Sequence, residues 1–353
     1  MKKTSIYGAG YMGMKVLKAL SENGVKVNFF IDQFTNEKFI LGIPVYRLTE
    51  ISDPQNTILY LSIHEGLYNY PDVVSGIINS GFDIVNLHDI ARTYKSIIPS
   101  VVNDEILYLR KDKSKMIDAL KTREVLDLIS SPQSKKNYEN LLNFRADPRP
   151  ATYPAPTEDN QYLTNQVDIY DRCDFTYIDC GAYTGDTIKK ALDYTGKRLK
   201  TVFAFEPDLS NFSALVNECR SPELENTAIH LYPCGVWNHT GVVNFSNDGT
   251  SSSKISLDKG NCTVPVVALD DVIINKKVDL IKMDLEGAEL MAIEGCKNII
   301  RSQSPSLAIS IYHKPEDLWE IPLYINSLNP GYNMYVETYG FMGFETVLFC
   351  SKN

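Results

Sequence analysis

The chain has 353 residues, of which 44% are hydrophobic and 22% are charged, so it is long enough for two globular domains with separate cores. Its formal net charge of −9 argues against a nucleic-acid partner, because surfaces that bind nucleic acid are basic. The amino terminus lacks the apolar stretch of a secretion signal, and no apolar run approaches the roughly 18 residues that span a membrane. These properties predict a cytoplasmic protein without a membrane span.

A glycine-rich loop follows the first predicted strand. Gly8, Gly10 and Gly13 have the GxGxxG spacing, and the next strand ends in Asp32, about twenty residues further on. This is the spacing of a dinucleotide fingerprint, in which the acidic residue binds a ribose hydroxyl. The same glycines also suit a turn and a close helix–strand contact without any ligand. A second nucleotide site and a purely structural loop are therefore both open interpretations.

Strands and helices alternate through the rest of this segment, which predicts a Rossmann-like parallel α/β domain over residues 1–100. The predicted strands are TSIY, VKVNFFID, ILGIPVY, TILYLSI and DIVNL. The segment resembles the Rossmann-like domain at the front of sugar acyltransferases, which implies that its glycine loop can face a sugar nucleotide.

Helical periodicity and then proline replace this alternation over residues 101–161. The stretch KSKMIDALKTREVLDLI predicts one amphipathic helix, and Ser134 is the predicted N-cap of a second, KKNYENLLNF. The segment 146–162 holds four prolines and little apolar content, which predicts an extended loop. That loop is either a lid over the following site or a plain linker.

A second strand–loop–helix unit, YIDCGAYTGDT, occupies residues 177–187. Its loop has Gly181 and Gly185, but Tyr183 stands in the middle, where a pyrophosphate-binding loop has glycine. The next strand, TVFAFEP, ends in Glu206, whose carboxylate is placed to accept hydrogen bonds from a ribose. An adenosine without phosphates, as in S-adenosylmethionine, fits this pattern better than a dinucleotide.

About seven main strands alternate with helices over residues 162–353, and the last two are expected to pair in antiparallel. The stretch VWNHTGVVNF predicts a β-hairpin with its turn at His239, Thr240 and Gly241. The predicted fold class is therefore α/β, with two Rossmann-like domains joined by a helical linker.

The seven cysteines predict free thiols in a reducing compartment. Their number is odd, and no two of them form the CxxC pair that is typical of zinc sites and redox-active disulfides. They are Cys173, Cys180, Cys219, Cys234, Cys262, Cys296 and Cys350.

Five blocks of the second domain resemble the FkbM family of S-adenosylmethionine-dependent methyltransferases: IDCGAYTGDT, FAFEP, VPVVALDD, IKMDLEGAE and ISIYHKPEDLWEIP. The preceding segment, SKKNYENLLNFR to QYL, resembles the branch of that family with an extra amino-terminal domain. The resemblance implies a class I methyltransferase sheet of seven strands and O-methylation with S-adenosylmethionine as donor. The chain departs from the family near YNMYVETYG, where Glu337 and Thr338 replace a basic Arg-His pair.

Methyl transfer from a sulfonium donor assigns roles to the strand ends of this domain. Asp179 and the loop 181–185 would hold the methionine part, and Glu206 the ribose. The turn at Cys234 and Gly235 would line the adenine. The predicted donor-binding residues are Asp179, Gly181, Ala182, Tyr183, Thr184, Gly185, Glu206, Pro207, Cys234, Gly235 and Asp284.

A run of acidic residues follows a buried strand at Asp284, Glu286 and Glu289. Asp284 and Glu286 are expected to point into the site, with Glu289 one helical turn further on. The carboxylates either orient the acceptor and the donor or, with Asp284 as anchor, bind a divalent cation together with Glu286. The metal-free version is favoured, because no Asp-Asn pair follows at the next strand end. A plain capping box at a helix start is the structural alternative.

His313 follows the apolar strand LAISIY and is expected at the same edge of the sheet. A hydroxyl group is too weak an acid to ionise near neutral pH, so His313 is the predicted general base, with a structural histidine as the alternative. The predicted catalytic residues are thus His313, Asp284 and Glu286.

The expected acceptor is a hydroxyl group on a sugar, a glycan or a related small molecule, and the protein can be a homo-oligomer. The sugar rests only on the resemblance of the first domain. The alternative functions are a sugar-nucleotide-binding or NAD-dependent protein that uses the loop from Gly8 to Gly13, and a protein that merely senses its ligands.

Overall fold

The computed structural model describes most of the chain, and its internal contacts divide it into two compact units. The described residues are 2–63, 70–94, 96–97, 117–147, 152, 154–157, 160–166, 174–246, 254–255, 262–329 and 331–352. The first unit comprises Met1–Met116, Glu139–Thr157 and Thr338–Glu345, and the second comprises Ile117–Tyr138, Glu158–Glu337 and Thr346–Asn353. The start of the predicted helical linker and part of the Pro-rich loop lie outside the described residues.

A mostly parallel sheet forms the first unit. Its strands are β1 (Lys3–Tyr7), β2 (Phe29–Ile31), β3 (Phe39–Ile40), β4 (Ile43–Tyr46), β5 (Thr57–Leu61) and β6 (Asp83–Val85). Its helices are α1 (Tyr11–Glu22), α2 (Tyr70–Asn79) and α3 (Leu87–Thr93). The strand order is β3-β4-β2-β1-β5-β6, and only β3 and β4 pair in antiparallel among these strands. The Rossmann-like α/β architecture predicted for this part of the chain is confirmed.

Apolar side chains of the central strands build the core of this unit. Ile31, Leu59 and Leu61 are fully buried, and Ile77 of α2 packs in the same cluster. Strands that are apolar at consecutive positions are typical of a parallel sheet covered on both faces.

Two helices come next in the chain, α4 (Ala119–Leu128) and α5 (Pro132–Ala146). The prediction that Ser134 caps the second helix is wrong, because that helix begins two residues earlier. Proline suits the first turn of a helix, where its missing N–H costs no hydrogen bond. The hydroxyl of Ser131 accepts a hydrogen bond of 3.0 Å from the amide of Ser134, as an N-cap does.

The second unit holds two sheets. Their strands are β7 (Phe175–Cys180), β8 (Leu199–Phe205), β9 (Ala228–Tyr232), β10 (Gly235–Val236), β11 (Gly241–Ser246), β12 (Lys254–Ile255), β13 (Cys262–Val267), β14 (Leu280–Met283), β15 (Ser306–Ser310), β16 (Asn333–Thr338) and β17 (Thr346–Ser351). The main sheet has seven strands in the order β16-β17-β15-β14-β7-β8-β9, and β17 runs antiparallel to β15. The seven-stranded sheet of a class I methyltransferase, which the resemblance implied, is confirmed.

A smaller sheet has the order β10-β13-β11-β12. The predicted hairpin VWNHTGVVNF is wrong, because its two strands do not pair with each other. Gly235 of β10 pairs with Val266 of β13 in parallel, and Gly241 of β11 pairs with the same residue in antiparallel. β13 therefore lies between β10 and β11. The turn at His239 connects these two strands, which both pair with β13.

The helices of the second unit are α6 (Asp186–Thr195), α7 (Leu209–Glu218), α8 (Leu269–Val272), α9 (Glu289–Glu294), α10 (Lys297–Gln303) and α11 (Asp317–Leu328). Within the described part of the chain, no helix combines the length and the apolar character needed to cross a membrane. The strands β9, β8, β7, β14 and β15 all run parallel. Their carboxyl ends therefore share one edge of the sheet, and most of the site residues predicted for this unit follow these ends, whereas Asp179 lies within β7.

Candidate active site

The loop between β7 and α6 requires glycine at two positions for different reasons. Gly181 has a φ of +82°, and a Cβ atom there would lie 2.0 Å from the carbonyl oxygen of Asp284. Gly185 has a φ of +95° and precedes α6 as its N-cap, with Leu215 3.1 Å from where a Cβ would be. The loop thus makes a left-handed turn at both ends, and Gly181 lets its backbone meet the segment after β14.

The residues between these glycines present polar groups beside the start of α6. Tyr183 is 48% exposed, and its amide donates a hydrogen bond of 2.9 Å to Oε2 of Glu206. Ala182 is fully buried, and the buried hydroxyl of Thr184 forms no hydrogen bond with any described residue. Gly185 has no side chain to cap the first amides of α6. Those amides and the Thr184 hydroxyl can therefore bind an anionic group.

Backbone amides fix the carboxylate of Glu206 just beyond the end of β8. Oε2 accepts the hydrogen bond from Tyr183, and Oε1 accepts one of 2.9 Å from the amide of Asp208. Burial raises the pKa of Glu206, and these amides oppose the rise. The intervening Pro207 is half-buried. Because each carboxylate oxygen can accept more than one hydrogen bond, Glu206 can still receive the hydroxyls of a ribose.

Asp179, which is predicted to hold the methionine part of the donor, forms a buried ion pair. Its Oδ1 lies 3.0 Å from Nζ of Lys282, and its Oδ2 accepts a hydrogen bond from the hydroxyl of Thr187. Both charged side chains are almost completely buried, with 0% of Asp179 and 2% of Lys282 exposed. The Lys282 ammonium also donates a hydrogen bond of 2.6 Å to the carbonyl oxygen of Gly181. Asp179 therefore holds the loop in place through its partners.

Lys282 is a residue of this site that was not predicted from the sequence. Burial lowers the pKa of Lys282, but the carboxylates of Asp179 and Asp284 outweigh that effect, so its pKa is raised and the ammonium keeps its charge. The sequence does indicate this role, because Lys282 stands among apolar residues in the strand LIKM. A lysine that is buried in such a strand needs an oppositely charged or hydrogen-bonding partner.

Tyr162 connects this pair to the acidic run. Its hydroxyl donates a hydrogen bond of 2.9 Å to Oδ2 of Asp284 and lies 3.3 Å from Oγ of Ser310. The ammonium of Lys282 lies 5.2 Å from the centre of its ring. Tyr162 is 4% exposed and has a φ of +69°, a conformation that only tertiary contacts maintain. No local pattern in the sequence distinguishes this residue.

The acidic run and the predicted histidine meet at the carboxyl edge of the sheet. Nε2 of His313 lies 3.4 Å from Oδ1 of Asp284 and 3.7 Å from Oε2 of Glu286. Nδ1 lies 2.9 Å from Oε1 of Glu289, without the alignment of a hydrogen bond. Glu289 and His313 are buried, whereas the side chain of Glu286 is 58% exposed. Glu286 is thus the member of this cluster that faces solvent.

The charge of His313 is set by these neighbours. Burial lowers its pKa, but the carboxylates of Glu289, Asp284 and Glu286 outweigh burial and raise the pKa of His313 to about 10. At neutral pH the ring is therefore protonated. A protonated imidazole cannot accept a proton, so the predicted role of His313 as general base does not follow from this geometry.

The turn predicted to line an adenine is closely packed. Cys234 is 7% exposed and Gly235 is buried, and a Cβ atom at Gly235 would lie 3.3 Å from the side chain of Val266. Burial raises the pKa of Cys234 to about 11, so its thiol is neutral near pH 7. The described cysteines that carry free thiols are Cys180, Cys219, Cys234, Cys296 and Cys350.

At two of the three glycines in the amino-terminal loop, the structure explains why the residue must be glycine. Gly8 has a φ of +95°, and a Cβ atom at Gly13 would lie 2.0 Å from the carbonyl oxygen of Gly8. Gly10 has a negative φ, and no atom lies within 4 Å of where its Cβ would be. Packing thus explains Gly8 and Gly13 but not Gly10.

Asp32, at the end of β2, is bonded to backbone amides through both carboxylate oxygens. Oδ2 accepts a hydrogen bond of 2.7 Å from Ala9, and Oδ1 accepts bonds from Phe34 and Thr35. These amides lower the pKa of Asp32 although burial acts in the opposite direction. The carboxylate therefore shapes its own loop, and the second nucleotide site stays a prediction.

Glu337, where the resemblance implied a basic residue, forms its hydrogen bonds within the second unit. The carboxylate of Glu337 accepts hydrogen bonds from the hydroxyl of Ser134 at 3.2 Å and from the side-chain amide of Asn137 at 2.7 Å. The next residue, Thr338, is buried. Glu337 thus binds the start of α5, a contact that a basic side chain could not make with the same donors.

One solved structure that is similar to this chain supports the fold described above. A methyltransferase FkbM from Methylobacillus flagellatus KT, known from its crystal structure, is similar over 99% of this chain and 90% of its own, with 20% identity and a TM-score of 0.56. An rRNA methylase from Streptococcus thermophilus is similar over 51% of this chain and 89% of its own, with 13% identity and a TM-score of 0.31. No curated protein matches the chain.

The match to a protein family is more specific than the match to solved structures. The methyltransferase FkbM domain matches residues 179–344, which include the loop after β7, Glu206, the acidic run and His313. The Methylobacillus protein shares the fold. Residues 179–344 of this chain therefore match a methyltransferase FkbM domain.

Proposed function

We propose that this protein transfers a methyl group from S-adenosylmethionine to a hydroxyl group of a sugar, a glycan or a related small molecule. The observation that carries the proposal is the carboxylate of Glu206, which backbone amides hold beside the uncapped start of α6. The backbone contact between Gly181 and Asp284 joins this loop to the acidic cluster. A donor site and an acceptor site would then share one edge of the sheet.

The residues of the loop fit the polar parts of the donor. The orphaned hydroxyl of Thr184 and the first amides of α6 would hold its carboxylate, and Glu206 would accept hydrogen bonds from its ribose. The buried turn at Cys234 would face the adenine. When bound, the donor supplies a methyl group on a positively charged sulfur, which becomes a neutral thioether as the methyl group leaves.

Glu286 is the carboxylate that we assign to the acceptor hydroxyl. Its side chain is 58% exposed, and its backbone is held in the left-handed region with a φ of +52°. Such strain persists at functional sites when the surroundings enforce it. The hydroxyl proton would pass to Glu286 as the acceptor oxygen forms its bond to the methyl carbon. Asp284 and His313 would orient the acceptor and the carboxylate.

Calorimetric titration of the full chain tests the donor site. We expect S-adenosylhomocysteine to bind with one molecule per chain, and NADH and UDP-glucose to give no heat of binding. A folded protein that binds NADH or UDP-glucose but not S-adenosylhomocysteine would overturn the proposal in favour of the alternative function.

The acceptor class needs its own experiment. The protein is incubated with S-adenosylmethionine and separate pools of oligosaccharides, nucleotide sugars and RNA, and products are analysed by mass spectrometry. We expect a gain of one methylene on a carbohydrate hydroxyl, in line with the net charge of −9, which disfavours RNA. Methylated RNA with unmodified carbohydrates would refute the acceptor class and leave methyl transfer standing.

A further inference from the structure

Four buried polar atoms at the acidic cluster lack hydrogen bonds. They are Oδ1 of Asp284, Oε2 of Glu289 and both ring nitrogens of His313, and none of them forms a hydrogen bond with a described group, although both ring nitrogens lie within ion-pair distance of these carboxylates. His313 is 7% exposed and Glu289 is fully buried. Buried polar atoms nearly always have a hydrogen-bond partner, so several neighbouring ones without a hydrogen bond indicate a ligand.

The other oxygen of each carboxylate is firmly held. Oδ2 of Asp284 accepts the hydrogen bond from the hydroxyl of Tyr162 at 2.9 Å, and Oε1 of Glu289 accepts one of 2.7 Å from the amide of Leu285. One oxygen is thus fixed and the other is left open on both side chains. Metal-binding carboxylates are supported in this way by outer hydrogen bonds.

The spacing of these side chains suits a metal ion. One ligand atom from each of Asp284, Glu289 and His313 can be chosen so that all three lie within 4.8 Å of one another. Ligands that surround a cation at about 2.1 Å are themselves about 3.0–4.2 Å apart, depending on whether they are adjacent or opposite. Nε2 of His313 and Oδ1 of Asp284, at 3.4 Å, fall in this range.

The balance of charge points in the same direction. Asp284, Glu286 and Glu289 surround the single imidazole, and the buried Asp317 also interacts with Glu289 and His313. The ammonium of the neighbouring Lys314 donates its hydrogen bond to the carbonyl oxygen of Gly287. The carboxylates outnumber the cations of this cluster, and a divalent ion would offset the excess.

We propose that Asp284, Glu289 and His313 form a binding site for a divalent first-row transition-metal ion, such as Mn²⁺ or Zn²⁺. A mixed imidazole and carboxylate set suits these ions, whereas Mg²⁺ and Ca²⁺ prefer oxygen ligands alone. Three protein ligands leave coordination positions open, as catalytic metal sites do. The cation site that the sequence suggested consisted of Asp284 and Glu286. The site proposed here differs from it, because Glu289 and His313 are ligands and Glu286 is not.

A catalytic role for this ion rests on the proposed methyl transfer. The binding of the ion to the protein does not depend on that proposal. An acceptor hydroxyl at an open position would have its pKa lowered by the ion, which makes loss of its proton easier. Glu286, exposed beside the cluster and outside the ligand set, would take that proton. The ion would thereby activate the acceptor hydroxyl, and His313 would bind the ion as a neutral imidazole.

Metal binding is measured on the full chain after treatment with a chelator, without donor or acceptor. Mn²⁺ is added, and free Mn²⁺ is followed by electron paramagnetic resonance. We expect one Mn²⁺ per chain, with affinity at least about tenfold weaker in Glu289→Gln and His313→Gln, because each removes a ligand. Glu223→Gln, which changes an exposed carboxylate away from the site, should bind Mn²⁺ as the wild type does.

Circular dichroism establishes that each variant is folded, and Asp284→Asn provides a third ligand variant if another unfolds. Absence of Mn²⁺ and Zn²⁺ binding to folded wild-type protein would overturn the proposal, as would Mn²⁺ binding that all three ligand variants retain. Binding of S-adenosylhomocysteine is measured separately on the same samples. A protein that binds this compound but no metal refutes the metal site alone, and the reverse result refutes the proposed function alone.

Discussion

The carboxylate of Asp179 and the ammonium of Lys282 form an ion pair of 3.0 Å that is almost completely shielded from solvent. The two residues lie on the neighbouring strands β7 and β14, directly opposite each other in the parallel register. The Lys282 ammonium also donates a hydrogen bond to the carbonyl oxygen of Gly181. The buried ion pair therefore helps to fix the position of the loop between β7 and α6.

Removing either partner of this pair should unfold the second unit readily. Asp179→Asn and Lys282→Met are each expected to lower the free energy of unfolding by about 3–5 kcal/mol, because each leaves one buried charge without its partner. The double variant should lose less than the sum of the two, since no unpaired charge remains. Urea unfolding of the four proteins measures this. Additive losses in the double variant would show that the two charges are not coupled.

The glycines of the amino-terminal loop should differ sharply in their tolerance of alanine. Gly13→Ala forces a Cβ against the carbonyl oxygen of Gly8 and should lower the free energy of unfolding by about 2–3 kcal/mol. Gly10→Ala meets no atom within 4 Å and should change it by less than about 1 kcal/mol. Thermal unfolding of both variants provides the comparison, and equal losses would contradict the packing interpretation of Gly13.

Glu206→Gln should weaken the binding of S-adenosylhomocysteine by about 10–100-fold. The glutamine side chain keeps one acceptor oxygen, but an NH₂ group replaces the other oxygen. This group cannot accept a hydrogen bond from a backbone N–H, and the negative charge of the side chain is lost. Isothermal titration calorimetry measures the affinity. Asp193→Asn, an exposed change on α6, is the matched control and should bind like the wild type. Unchanged affinity in Glu206→Gln would exclude Glu206 from the donor site.

The stability of the chelator-treated protein should fall as the pH rises from about 6.5 to 10. Carboxylates raise the pKa of His313 to about 10 in the folded state, whereas an unfolded histidine titrates near pH ~6.5. The folded protein thus holds a proton that the unfolded chain has lost, and the stabilisation is complete below this window and disappears through it.

The difference between wild type and His313→Gln isolates this effect from other titrating groups. Urea unfolding at several pH values should show a steeper decline for the wild type than for the variant. Parallel curves would mean that His313 has an ordinary pKa in the folded protein.

Glu286→Asn should stabilise the protein and abolish its activity. Asparagine tolerates the left-handed region better than glutamate, so we expect a gain of about 0.5–1 kcal/mol in the free energy of unfolding. Loss of the proton acceptor should lower methyl transfer about 100-fold or more. Glu345→Asn, at a similar φ of +55° but outside the cluster, should stabilise equally and keep activity. Full activity in Glu286→Asn would remove Glu286 from the mechanism.

The sequence predicted the parts of the fold that depend on local patterns. Apolar strands, the glycine loop and the helix after it predicted an alternating α/β domain of about seven strands, because parallel strands between helices have few alternative arrangements. The class I arrangement of the sheet was implied by the family resemblance. The exact start of α5 was missed because two serines competed for the cap, and only Ser131 precedes a proline. The pairing of β10 and β11 depended on β13, which arrives later in the chain.

The candidate site was predictable as a set of positions but not as a set of charges. Asp284, Glu286 and His313 were expected at one edge, yet the protonation of His313 depends on how closely the carboxylates approach it. Tyr162 reaches Asp284 across more than a hundred residues of chain, so no sequence window contains both. Buried Lys282 could have been identified from its apolar neighbours alone.

The contact between Gly181 and the backbone of Asp284 has a consequence for enzyme engineering. The two loops touch without any side chain between them, so neither can be replaced with a segment of different length or a bulkier residue independently. A transplanted acceptor loop would have to arrive together with the glycine loop that matches it. Changes of substrate preference are therefore easier to obtain from exposed side chains around the site than from the loop backbone.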